Sequence, residues 1–222
     1  LARVLFGGRI SLSVGIVAML IAISVGIFVG AVAGFFGGQI DNILMRIADL
    51  FLSLPQLPVL LITIYLFRDS LRTAFGPEFG IFLMIVTVIG ALAWMPIARI
   101  VRASFLSLKE KEFVEAAHAT GVKSPRIIIR HILPNVLSPV IVAATIEVGN
   151  SIISESALSF LGLGFPPDVP SWGRLLYDAQ NFLELAPYMA IFPGLAIFLT
   201  VLSINYLGDG LRDALDPRGL LK

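Results

Sequence analysis

Apolar residues fall in long unbroken blocks along this chain, without the alternation of a half-buried strand. Charged residues are absent between Arg9 and Asp41 (31 residues), Asp49 and Arg68 (18), Glu78 and Arg99 (20), and Glu184 and Asp209 (24). At about 1.5 Å of rise per residue, the shortest block extends roughly 27 Å, close to a hydrocarbon core of about 30 Å. A fifth block, Leu133 to Ile153, is interrupted only by Glu147. The pattern predicts five spanning helices in one transmembrane domain over residues 1–222, with polar segments at 103–132 and 156–188. The expected fold class is an all-α polytopic bundle.

Composition agrees: 57% of residues are hydrophobic and 14% charged, against about 25% charged in soluble chains, and the mean hydropathy is +0.93. A net charge of +1 argues against a nucleic-acid partner, whose phosphates call for a basic excess. With no cysteine and two histidines, thiol chemistry, disulfides and a His-built metal site are excluded. No phosphate-binding loop of the G-x-x-x-x-G-K-[ST] type occurs, so no nucleotide is bound by that route.

Basic residues set the expected orientation. Arg46, the group Arg99, Arg102, Lys109, Lys111, Lys123, Arg126 and Arg130, and then Arg212, Arg218 and Lys222 make eleven on one side, against Arg3, Arg9, Arg68, Arg72 and Arg174 on the other. Retention of Lys and Arg in the cytoplasm places 103–132 inside and 156–188 outside. The N-terminus then lies outside and the C-terminus inside. The chain begins at Leu1 rather than Met, and an additional helix upstream is expected.

Within the first block, Ala22, Gly26, Gly30, Gly34 and Gly38 recur at four-residue spacing. Such a stripe favours close helix packing in lipid. Pro55, Pro58, Pro96 and Pro193 fall in or beside other spans, where each removes an N–H donor and favours a kink.

The densest polar signal is KEKEFVEAAHATGVKSPRIIIRHILPN, residues 109–135. It reads as a short helix from Lys109 to Ala119 and a left-handed cap at Gly121. A second helix then opens on Ser124 and Pro125 and runs to Ile132, with Pro134 at the entry to the next span. Ala116 and Ala117 leave a shallow surface ringed by charge, suited to a docked partner. An amphipathic hairpin on anionic headgroups fits the same residues.

Glu115-Ala116-Ala117, three residues, Gly121 and then His131-Ile132-Leu133-Pro134 resembles the EAA motif of bacterial ABC importer permeases. His131 replaces the usual Ile, as in the peptide and nickel importer branch. RISLSVG at 9–15, LSFLGLG at 158–164, SWG at 171–173 and YLGDGLRDALDPR at 206–218 resemble the dipeptide/oligopeptide C-type permeases of that branch. The resemblance implies a type I-like importer fold of six spans, the first lacking here, in the bacterial cytoplasmic (inner) membrane. It also implies a second homologous permease subunit, two cytoplasmic ATPase subunits that carry ATP and Mg, and an extracytoplasmic substrate-binding protein. This chain would then be a transport subunit and no enzyme, binding no cofactor or metal. Glu115, Ala116, Ala117, Gly121, His131, Leu133 and Pro134 would be its ATPase-coupling residues. The cargo implied is a di- or oligopeptide, or a related small solute such as a nickel complex.

Two features lie outside the motif. The segment 156–188 is rich in proline and carries Trp172 and Tyr177; it suits either binding-protein docking, with Pro167, Trp172 and Arg174 as contacts, or a lid anchored at the interface. Glu147 is the acid expected at membrane depth, with Glu155 two turns nearer the outer face. A carboxylate there is costly and faces water or a partner, so Glu147 is a pathway candidate for a peptide amino group, or an acid hydrogen-bonded to a neighbouring helix. The alternative function is an ion- or proton-coupled transporter or channel using Glu147, although no inverted repeat is visible.

Overall fold

The computed structural model describes residues 1–215 and is helical throughout, with short connections. In chain order the α-helices are α1 (Ala2–Phe36), α2 (Gly38–Ser53), α3 (Gln56–Phe75), α4 (Pro77–Ala91), α5 (Trp94–Leu108), α6 (Glu112–Ala119), α7 (Ser124–Ile127), α8 (Leu133–Phe160), α9 (Trp172–Ala179) and α10 (Tyr188–Leu215). A π-helical turn, Ile128–Ile132, fuses α7 to α8, and a 3₁₀ turn, Gln180–Phe182, follows α9.

Three stretches are long and apolar enough to span alone: Ala2–Phe36, Ser124–Phe160 and Tyr188–Leu215. The other two expected spans are bent pairs, so five crossings result if each pair counts as one. Between α2 and α3 the axis turns by 89°, within the first third of the block 50–67. There Leu54 is extended (ψ 137°) ahead of Pro55, the conformation that a following proline ring imposes. The block between Glu78 and Arg99 bends by 41° between α4 and α5, at Leu92 and Ala93. Pro96 lies four residues beyond Leu92, and its ring clashes with a helical carbonyl at that position. Uncharged length thus located these blocks but not their breaks.

The core of the bundle is α1, enclosed by α4, α5 and α8. Gly26, Gly30 and Gly34 face α5 so closely that a Cβ on Gly30 would lie 2.5 Å from the Ala98 carbonyl oxygen and one on Gly34 2.6 Å from Phe105 Cβ. The stripe is therefore a helix interface, as its spacing predicts. It ends at Gly34: Gly37 and Gly38 have φ of 64° and 58° and form the turn into α2. On the opposite end of α1, Gly8 meets Trp172 and Gly15 meets Ile152.

Ion pairs fix the turned-aside helix α2. Arg102 pairs with Asp41 through both carboxylate oxygens, and Arg99 pairs with Asp49. Both ion pairs run from α5 to α2.

Candidate functional site

Two sites sit at opposite ends of the bundle. At the first, α6 is a two-turn helix closed by a Schellman motif: the Gly121 N–H donates to the His118 carbonyl and the Val122 N–H to that of Ala117. Gly121 has φ of 78°, so the left-handed cap expected there is present. The second helix starts one residue earlier than its Ser-Pro sequence predicts. Lys123 is the N-cap, no side chain caps it, and Ser124 is already helical.

Nor is that helix separate from the next span. Pro134 has no N–H to donate, and its ring would strike the Arg130 carbonyl in a regular helix. The chain widens into a π turn instead, with the Leu133 N–H bonded to the Ile128 carbonyl, and runs on as one element from Ser124 to Phe160. His131 and Leu133 lie half-buried in or beside this turn, and Pro134 is exposed. Asn135 donates to the His131 carbonyl at 2.8 Å.

Only part of the expected docking surface faces outward. Val114 and Ala117 point into a core shared with Phe105, Ile127, Ile132 and Val136. Glu115, Ala116 and Gly121 are exposed. The shallow surface expected from both alanines is thus Ala116 alone, because the helical turn that exposes one residue buries its neighbour. His118 stacks on Phe35 at the end of α1, with ring centroids 6.2 Å apart. A cleft of about 610 Å³ beside the cap is lined by Thr120, Gly121, Val122, Lys123, Pro125 and Arg126.

At the other end, α8 closes with a second Schellman motif on Gly162, whose φ is 83°. The chain then returns as α9 across α1, α8 and α10. Ser171 caps α9 by accepting from the Arg174 N–H at 3.1 Å. Trp172 is buried: it is 5% exposed, seated on Gly8, and its indole N–H donates to the Val4 carbonyl at 2.9 Å. Arg174 is engaged with Asp178 at 3.0 Å and stacks on Tyr177. Of the three expected docking residues, Pro167 is exposed. Trp172 and Arg174 both pack within the folded segment 156–188, and a large side chain reads the same in sequence whether it packs inward or outward.

The acids of α8 also separate. Glu147 is half-buried on a cleft of about 390 Å³ lined by Gln56, Leu92, Pro96, Asn150 and Ser154 among others. It accepts from Ser151 at 3.2 Å. Glu155, two turns further along α8, is fully buried. It accepts from Ser11, which ties α1 to α8, and from Ser159 one turn further along α8. Sequence reading missed this because Ser11 stands 144 residues away. Among the described residues no group of three or more His, Cys, Asp or Glu is arranged to hold a metal ion. Arg218 and Lys222, and the end of the 206–218 stretch, lie outside the described residues.

Residues 26–219 match the family described as "Binding-protein-dependent transport system inner membrane component". The oligopeptide transport system permease protein OppC of Haemophilus influenzae is 45% identical over 98% of this chain and 67% of its own length. The dipeptide transport system permease protein DppC of Alkalihalophilus pseudofirmus is 41% identical over 97% of this chain and 67% of its own. A solved structure of the MetNI methionine ABC transporter, inward facing, superposes with a TM-score of 0.73 at 21% identity, covering 97% of each chain; it shares the fold.

Proposed function

This chain belongs to the binding-protein-dependent transport system inner membrane components, a multi-pass family, and on that premise we propose that it is the permease subunit of an ATP-driven importer of peptides or related small solutes. The observation that carries the reading is the match along 98% of the chain to an oligopeptide permease. A nickel complex remains a cargo of the same class. ATP and Mg would reside on two ATPase subunits at the end bearing α6, and a second, homologous permease would complete the path.

In this reading the α6 hairpin is the coupling device. Its apolar face is part of the same core as α1, α5 and α8, so force applied at Glu115, Ala116 and Gly121 passes into three spans without a slack joint. Pulling the hairpin would move the bundle between two packed arrangements, the physical requirement for alternating access. Ala116 admits close approach, and Glu115, Lys123 and Arg126 supply charge around it. His131, Leu133 and Pro134 would transmit the load through the π turn rather than touch the ATPase directly.

Glu147 would line the path. Its cleft offers one carboxylate together with the amides of Gln56 and Asn150 and the Ser154 hydroxyl, a set that suits a substrate ammonium and its neighbouring peptide groups. The ion-coupled alternative draws on Glu147 alone, whereas the family reading draws on the whole chain.

Copurification of the ATPase subunits with this chain, and ATP-dependent peptide uptake by the reconstituted complex in the presence of its binding protein, test the proposal. Uptake that follows an ion gradient and ignores ATP would replace it with the ion-coupled reading.

A further inference from the structure

Three stretches of the sequence converge on one buried acid. Ser11 comes from 9–15, Ser159 from 158–164 and Ser171 from 171–173, and all three are at most 1% exposed. Glycines in the same stretches allow the approach: a Cβ on Gly164 would lie 1.9 Å from Ser159 Oγ, and one on Gly173 2.5 Å from Ser156 Cα.

The hydrogen bonds have a direction. The Arg174 N–H donates to Ser171 Oγ at 3.1 Å, leaving the Ser171 hydroxyl to donate to Ser159 Oγ at 3.4 Å, and Ser159 donates to Glu155 Oε1 at 2.7 Å. The Trp172 N–H donates to Ser11 Oγ at 3.2 Å, and Ser11 donates to Glu155 Oε2 at 3.0 Å. Each hydroxyl has one proton to give, so both chains need an acceptor at their end. A carboxylate accepts at both oxygens and donates from neither. Among the described residues, no Lys or Arg forms an ion pair with Glu155. Its partners are two amides of the first turn of α9, relayed by serines.

We propose that Glu155 is the positioning residue of the outer segment: its carboxylate, acting through Ser11, Ser159 and Ser171, holds α9 in one orientation across the outer ends of α1, α8 and α10. Apolar packing of Trp172 and Leu175 supplies contact but little direction, whereas two converging hydrogen-bond chains fix the angle of the helix. The seat is also reversible, because hydroxyls and amides released from it are satisfied by water. Outer-face docking of a binding protein, as read above, would then rest on a surface that Glu155 orients.

The test uses the purified complex with a single cysteine, Leu175→Cys, whose side chain lies under α9 and is 8% exposed as leucine. A second complex carries Val86→Cys, 1% exposed as valine in α4, as the control for general loosening. Glu155→Leu, Glu155→Gln and Ser159→Ala are added to each, and the rate of maleimide labelling is measured. Glu155→Leu should raise the rate at position 175 about tenfold, the scale of losing a buried hydrogen-bond partner, with a smaller rise for the other two and no change at position 86. Equal rates at position 175 in every variant that assembles would overturn the proposal, as would a matching rise at position 86. If Glu155→Leu does not assemble, Glu155→Gln and Ser159→Ala decide; failure of Ser159→Ala to assemble would make the cluster a folding determinant and also overturn it. Uptake titrated with the substrate-loaded binding protein then separates the two readings: a raised KM with Vmax kept supports both, and an unchanged KM beside faster labelling keeps the anchor and removes the docking surface.

Discussion

Single atoms decide the role of the glycines and acids. At Gly30 even a methyl group would overlap the Ala98 carbonyl and Val101, and backbone on the facing helix cannot swing away as a side chain can. Gly30→Leu should therefore abolish recovery of the assembled complex by gel filtration in detergent, since overpacking of this kind costs about 1–3 kcal/mol or more. Leu20→Ala, at a site 53% exposed, should leave that yield unchanged. For Glu147 the expected result is kinetic. Glu147→Gln should assemble normally but raise the KM for uptake of a peptide with a free amino terminus, and leave an N-acetylated analogue unaffected. Equal effects on both peptides would show that the carboxylate does not meet the ammonium.

Among the elements, the α6 hairpin carries the clearest expectation. A valine at Gly121 must adopt a φ of 78°, at a cost of about 1–2 kcal/mol for a residue bearing a Cβ. Gly121→Val should give an inserted subunit whose complex loses its ATPase or hydrolyses ATP without import, measured by copurification and by uptake per ATP. Ala116→Trp should block ATPase binding by bulk while the hairpin stays folded. Ala117→Trp should instead unseat α6 from its own core, detected as increased proteolysis of 109–131 in the absence of any ATPase. The π turn belongs to this scale too: Pro134 was legible as a helix boundary, yet the chain accommodates it by widening, because the flanking residues are held in the core and a five-residue repeat avoids the clash.

For the molecule as a whole, the ends of α1 connect the two sites. Phe35 stacks on His118 at one end and Val4 accepts from Trp172 at the other, so displacement of the hairpin has a rigid route to α9. The orientation predicted from the basic residues is checked with single cysteines in intact cells. An impermeant reagent added outside should label Asp168→Cys and spare Val122→Cys, and the reverse pattern would invert the membrane assignment.

Sequence by itself determined the class of this protein, the number of apolar blocks, the stripe on α1, the cap at Gly121 and the family resemblance. All of these depend on local spacing: span length against bilayer thickness, small residues every fourth position, and a turn that only glycine readily forms. Tertiary structure decided the inward turn of Ala117 and Trp172, the pairing of Asp41 and Asp49 with α5, and the burial of Glu155. These rest on which surfaces meet. Ser11 and Glu155 are separated by 144 residues, and no periodicity along one helix records the partner that another will bring. Membrane helices make this separation sharper than soluble ones do, because an apolar residue reads alike whether it faces lipid or protein.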